Sequence, residues 1–280
     1  MLKIYHSKGT RALRVIWVCE ELGVPYEIVP VDFSPEYRAK AEWRAMNPVG
    51  KVPAMTDGDM KMFESCAMMQ YVLDRYGDLI GELAEVGRDS VARGLVLASG
   101  GNLSARHPGA DTFVITGTGT YLDRLDPDAF AVMDLAGNVV GGRSRPSSEW
   151  KLHQRTYRMR PDVNSIIHLH PQMAVLLDAL GHEVRLITLD HAYYLRKVAR
   201  CPYAPNGSDE LGDWAAEASR DCDVIILEYH GCSTLGDTVA MAHRRSLSLE
   251  EAAQNTYRCL QLGNTDLTFP REEWARIHHA

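Results

Sequence analysis

The seven residues from Ser165 to Pro171, Ser-Ile-Ile-His-Leu-His-Pro, constrain this chain more than any other stretch. Their apolar, β-branched character predicts a strand. Alternate side chains of a strand point to one face, so His168 and His170 share a side. Two neutral imidazoles on one face are able to share a metal ion. The same pattern also describes two half-exposed histidines at a sheet end, so its meaning depends on what the rest of the chain supplies.

The chain has 280 residues, 45% of them hydrophobic and 24% charged, a balance that suits one large globular domain or two ordinary ones. A formal net charge of -7 argues against sequence-independent binding to phosphate backbones, and no nucleic-acid partner is expected. The six cysteines (Cys19, Cys66, Cys201, Cys222, Cys232, Cys259) form no Cys-x-x-Cys pair, which predicts free thiols in a reduced compartment. No run of about eighteen apolar residues occurs and Met1–His6 carries no leader pattern, so a cytoplasmic protein without membrane contact is expected.

Residues 1–77 read as a β-α-β unit followed by a hairpin and a closing helix. Leu2–Tyr5 predicts a strand, and Thr10–Leu22 a helix with Leu13, Ile16 and Trp17 on its apolar face, stopped by Gly23. A strand over Tyr26–Val31 and a helix over Pro35–Ala45 follow. Then come Asn47-Pro48-Val49-Gly50-Lys51-Val52-Pro53 and, opening another helix, Met62-Phe63-Glu64-Ser65. These motifs resemble the thioredoxin-like N-terminal domain of glutathione transferases. A proline at 53 ahead of a strand suits a backbone edge to which an extended peptide can pair through Val52. Ser65 at a helix start offers a hydroxyl and free N–H groups to a carboxylate, although an ordinary helix cap accounts for it equally well. The resemblance implies that Val52, Glu64 and Ser65 bind glutathione and that Ser7, or failing that Thr10, activates its thiol. It departs from the family after Asp78, where no all-helical domain follows.

Residues 78–280 read as a second, α/β domain. Asp78–Ala98 predicts a helix weakened by Gly87 and Gly94. The glycine-rich Ser99-Gly100-Gly101-Asn102 turn enters a strand, and Phe113–Thr116 is a strand broken by Gly117-Thr118-Gly119-Thr120, whose amides and hydroxyls suit an anion or simply a tight turn. A hairpin is expected through Ala131–Val140. In Pro146-Ser147-Ser148-Glu149-Trp150 the serines read as caps and Glu149 as a first-turn carboxylate of the next helix. Cys222–Tyr229 predicts a buried strand ending in His230-Gly231, a third imidazole. Three histidines with one open position meet the requirement of a catalytic divalent metal.

Five co-linear motifs now stand in order: Gly101–Ser104, Ile115–Gly119, Pro146–Trp150, His168–His170 and Tyr229–Gly231. Together they resemble the class II aldolase and adducin-head family, most of all its L-fuculose-phosphate aldolase-like branch. The resemblance implies a three-layer α/β/α domain with a mainly antiparallel sheet, a homotetramer, and a lyase acting on a small phosphorylated sugar or sugar acid. It implies Zn²⁺, or another divalent metal, on His168, His170 and His230, with Glu149 as general acid/base. Asn102, Thr118, Gly119, Ser147 and Ser148 would hold the substrate phosphate.

The implied chemistry needs those residue types. Making or breaking a carbon–carbon bond beside a carbonyl passes through an enediolate, whose charge a Lewis acid stabilises while a carboxylate moves a proton. An all-imidazole set favours zinc over magnesium or calcium. The segment Leu186–Asp190, Leu-Ile-Thr-Leu-Asp, lacks the tyrosine of the fuculose-phosphate branch, and His191–Val198 looks more like the sugar-acid phosphate decarboxylases. Tyr193 or Tyr194 would replace the lost acid, unless they are buried strand aromatics. Glutamate at 149, where the related epimerases have aspartate, argues against epimerisation. Decarboxylation, a non-catalytic adducin-like interaction domain and glutathione chemistry on the first domain are the alternatives.

Overall fold

The computed structural model describes residues 2–22, 24–76 and 78–277, so Gly23, the expected helix stop, and Gly77, the expected end of the first domain, lie outside the described residues. By its internal contacts the chain divides into two units, Met1–Asp78 and Leu79–Ala280.

In the first unit β1 (Leu2–His6) and β2 (Tyr26–Pro30) are parallel, joined by α1 (Ala12–Leu22) as a crossover. The expected helix over 35–45 is two short ones, α2 (Pro35–Ala39) and α3 (Ala41–Met46), because Lys40 between them is extended. β3 (Ala54–Asp57) and β4 (Met60–Phe63) form a hairpin, which completes a sheet of order β2-β1-β3-β4. α4 (Ser65–Tyr76) closes the unit. Leu2 and Ile4, alternate residues of β1, are buried against Val15 and Cys19 of α1 and Met68 and Val72 of α4. This is the thioredoxin-like arrangement anticipated above.

The second unit opens with α5 (Leu79–Ala92), shorter than the helix expected to reach Ala98 because Gly94 turns out of it with φ +72. Then come β5 (Asn102–Ala105), β6 (Thr112–Thr116), the hairpin β7 (Phe130–Asp134) and β8 (Val139–Gly142), and α6 (Trp150–Met159). β9 (Ser165–Leu169), α7 (Gln172–Ala179), β10 (Ala199–Cys201) and α8 (Asp209–Ala218) follow. The unit ends with β11 (Val224–Leu227), β12 (Gly231–Gly236), the long α9 (Val239–Gln261) and the short α10 (Trp274–Ile277).

Its eight strands are ordered β10-β11-β12-β9-β5-β6-β7-β8, antiparallel except for the β10–β11 pair. Strand alternation sorts the core into two layers. Leu103, Ile167 and Leu169 pack with α5, α7 and α9, whereas Ile115, Ile166 and Leu235 pack with α6 and α8. A leucine such as Leu169, fully buried here, is worth about 2–5 kcal/mol against alanine. The alternation places His168, between Ile167 and Leu169, on the α6 side of the sheet. Residues His191–Leu195 form a π-helical turn, not the strand considered for Tyr193 and Tyr194; Tyr193 is 41% exposed and the Tyr194 hydroxyl accepts from Arg244. Among the described residues no helix is long and apolar enough to cross a membrane.

Candidate metal centre and active site

Strand pairing gathers the histidines. β9 and β12 are antiparallel, with Ser233 opposite His168 and Cys232 opposite Leu169. His170 stands one residue beyond β9, and its N–H donates to the Leu95 carbonyl at 3.1 Å. His230 stands one residue ahead of β12, in a tight turn where its N–H reaches the Leu227 carbonyl and Tyr229 adopts φ +56. The three histidines therefore meet at one sheet end, with ring centroids 4.9–5.1 Å apart.

Their ligand nitrogens all lie within 4.8 Å of one another, and His168 Nε2 and His170 Nε2 are 3.1 Å apart. Zinc–nitrogen bonds of ~2.0–2.1 Å set tetrahedral ligand atoms roughly 3.3 Å apart, so the cluster is of the right size. His168 is fully buried, and its Nδ1 lies 2.9 Å from the Cys232 carbonyl. A carbonyl only accepts, so Nδ1–H is the donor and Nε2 is the atom that faces Glu149 and, once a metal displaces its proton, would be the ligand. Burial pushes His170 down to about 3 and His230 down to about 4, with the imidazolium character of His168 adding to it; both are neutral, ligand-ready rings.

Glu149 is the fourth member. Its Oε2 is 3.1 Å from His168 Nε2 and its Oε1 is 3.4 Å from His230 Nε2. Burial opposes charge on Glu149 and on His168 alike, yet their attraction prevails: the carboxyl is held below the usual carboxylate range and the imidazole is raised. Glu149 Oε1 is buried without a hydrogen-bond partner. A buried carboxylate oxygen beside His230 that accepts no hydrogen bond fits a bound cation, since such an oxygen is otherwise costly to bury. Glu149 is itself the N-cap of α6, not a first-turn residue, and Ser147 Oγ accepts from its N–H at 3.3 Å.

Two of the expected anion-binding segments are adjacent. Gly117 bridges to Pro146, the Thr118 N–H donates to the Arg145 carbonyl at 2.9 Å, and the Ser147 N–H donates to the Thr116 carbonyl at 3.0 Å. Thr118, Gly119 and Ser148 are exposed while Ser147 is buried. Asn102, expected at the phosphate, is only 3% exposed; it donates from Nδ2 to Glu149 Oε2 at 2.8 Å and meets His153 Nε2 with Oδ1 at 2.5 Å. These side-chain groups are therefore committed to Glu149 and His153. In the other unit Ser65 is buried at the start of α4, Glu64 before it has φ +72, Val52 is buried ahead of Pro53, and the Ser7 carbonyl receives the Thr10 hydroxyl.

A family model for the class II aldolase and adducin N-terminal domain matches residues 81–257. The chain belongs to this family. A second model, for the glutathione S-transferase N-terminal domain, matches residues 1–74, ahead of the class II aldolase segment. Among class II aldolases, the L-fuculose phosphate aldolase of Methanocaldococcus jannaschii is 39% identical over 164 residues, 59% of this chain and 87% of that protein. The 5-deoxy-D-ribulose 1-phosphate aldolase of Bacillus thuringiensis is 28% identical over 196 residues, 70% of this chain and 92% of that one. In structure, the fuculose-1-phosphate aldolase of Thermus thermophilus superposes with a TM-score of 0.59 at 30% identity, covering 66% of this chain and 96% of that one.

Sequence reasoning did not single out His153, Ser104 or Tyr157, which lie directly behind Glu149 and Asn102. The signal was present as Glu149, His153 and Tyr157 at i, i+4 and i+8, one stripe of a helix.

Proposed function

We propose that the protein is a zinc-dependent aldolase that cleaves or forms a carbon–carbon bond in a small phosphorylated sugar. The observation that carries this reading is Glu149 Oε1, a buried carboxylate oxygen without a hydrogen-bond partner, 3.4 Å from one of three clustered imidazoles. His168, His170 and His230 would hold the metal, which when bound supplies Lewis acidity toward charge developing on a substrate carbonyl. The protein's own residues do the rest. Glu149 Oε2 is tied to Asn102, which leaves Oε1 as the atom able to take a proton from the substrate and return it. The adjacent Thr118–Gly119 turn and Ser147–Ser148 would hold the substrate phosphate through the Gly119 and Ser148 amides and the Thr118, Ser147 and Ser148 hydroxyls, since the Thr118 and Ser147 amides are used within the fold. The aldolases that resemble this chain act, by name, on fuculose phosphate and 5-deoxyribulose phosphate, which makes deoxy-ketose 1-phosphates the first substrates to try.

The test is a screen of zinc-loaded protein against deoxy-ketose 1-phosphates and sugar-acid phosphates, with aldehyde and carbon dioxide both measured. Aldehyde release that disappears on metal removal is expected. Equal activity in metal-free protein would sink the mechanism, and carbon dioxide without aldehyde would make it a decarboxylase.

A further inference from the structure

Behind Glu149 runs an unbroken chain of buried polar side chains, of which the proposed reaction uses only the Asn102 contact. Asn102 and Ser104 occupy one face of β5 at i and i+2; Glu149, His153 and Tyr157 occupy one stripe of α6 and its cap at i, i+4 and i+8. Four residues of helix rise ~6.0 Å and two of strand ~6.7 Å, so the two sets stay in step. The contacts alternate between them. Tyr157 Oη lies 2.7 Å from Ser104 Oγ, Ser104 Oγ 2.7 Å from His153 Nδ1, His153 Nε2 2.5 Å from Asn102 Oδ1, and Asn102 Nδ2 2.8 Å from Glu149 Oε2. All five residues are at most 4% exposed, and Asn102 pairs directly with the candidate ligand His168 across the strands.

The hydrogen positions follow from the end group. A carboxylate only accepts, so the Asn102 amide must present its N–H to Glu149 and its carbonyl to His153. His153 Nε2 must then carry a proton, and its Nδ1 must accept from the Ser104 hydroxyl. Ser104 has one hydrogen, now used, so Tyr157 donates to it. Burial pushes His153 down to about 3 and pushes the Tyr157 phenol up, which leaves the ring neutral and the hydroxyl protonated, as this direction requires. Every donor is used once and all point toward Glu149.

We propose that His153 is a positioning residue that holds the Glu149 carboxylate through Asn102, fixing Oε2 so that Oε1, which has no hydrogen-bond partner, is the oxygen left to exchange a proton. The inference rests on the reading of Glu149 as the acid/base, and the test has two arms so that the two stand or fall separately. The first is the ¹⁵N-histidine spectrum of the zinc-loaded protein, with His153 assigned by difference from His153→Gln. A neutral ring protonated on Nε2 throughout pH 5 to 8 is expected; a protonated ring or an Nδ1–H tautomer would overturn the chain, whether or not any sugar phosphate is turned over. The second arm is kinetic. His153→Gln keeps a donor near the Nε2 position and His153→Asn does not. We expect His153→Asn to lower kcat about 10- to 100-fold with KM within threefold, and His153→Gln to recover most of that loss. Equal losses in the two variants, or an unchanged kcat in His153→Asn, would reduce His153 to a packing role. Should His153→Asn not fold, Tyr157→Phe serves: Ser104 can still donate to His153, so kcat within threefold of wild type is expected, and a larger loss would overturn the assigned direction. Loss of all turnover in the wild type, beside the expected spectrum, would refute the lyase reading and leave the chain standing.

Discussion

Gly231 has no room for a side chain, because the His170 ring stands where one would go. A Cβ at this position would lie 2.6 Å from His170 Cδ2, 3.2 Å from His168 Cε1 and 2.4 Å from the Leu169 carbonyl oxygen. The last of these is backbone in a paired strand and has nowhere to retreat. Gly231→Ala should therefore push the two rings apart, weakening zinc affinity about 10- to 100-fold and costing roughly 1–3 kcal/mol of stability. Competition against a zinc chelator measures the first effect and denaturant unfolding the second. Unchanged zinc affinity would mean that the strand ends yield more easily than this packing implies.

Glu149→Gln keeps the size of the side chain and an oxygen for Asn102, but removes the ability to exchange a proton. Turnover is expected to fall about 10²- to 10⁴-fold, the usual worth of a positioned acid or base. Zinc content should remain near that of wild type, since His168, His170 and His230 are untouched. Turnover within tenfold of wild type would remove Glu149 from the proton-transfer role.

The first unit makes a separate prediction. Ser65 opens α4, where the first N–H groups of a twelve-residue helix lack intrahelical partners, and Glu64 precedes it. We expect glutathione to bind there, with Val52 pairing to its backbone and Ser65 to a carboxylate. Isothermal titration of the full chain should show binding in the range below a millimolar that Ser65→Ala weakens several-fold. No heat at millimolar glutathione would leave the unit without this ligand.

The sequence made parts of this architecture readable and hid others for definite reasons. His168 and His170 were legible as neighbours on one face because a strand has a period of two, although His170 falls just past β9. Two helix readings ran too long, over 35–45 and 78–98, because local breaks at Lys40 and Gly94 interrupt otherwise helical stretches. The family resemblance makes Asn102 a phosphate contact. Within the chain its side chain meets Glu149 and His153, 47 and 51 residues away, and only the β5–α6 register shows that they meet. Ser104 and Tyr157 look like ordinary strand and helix residues until that register is known.

His153 also makes the fold pH-dependent in a definite direction. Burial holds the folded ring near 3, against an ordinary 6.5, so between those values the unfolded chain binds a proton that the folded one refuses. Stability from this residue is therefore fully present above about 6.5 and is lost as pH falls, at up to about 1.4 kcal/mol per pH unit. His170 and His230 are depressed too, and they contribute equally to any variant that keeps them. The comparison that isolates His153 is metal-free wild type against metal-free His153→Gln, unfolded in denaturant at steps from pH 7 to pH 4. Wild type should be the more stable at pH 7, since it packs the ring and both of its hydrogen bonds. The gap should narrow steadily below pH 6.5 and close or reverse near pH 4, because glutamine takes up no proton. Parallel curves over that range would show that the buried ring accepts a proton in the folded state, and the one-way chain from Tyr157 to Glu149 would lose its neutral link.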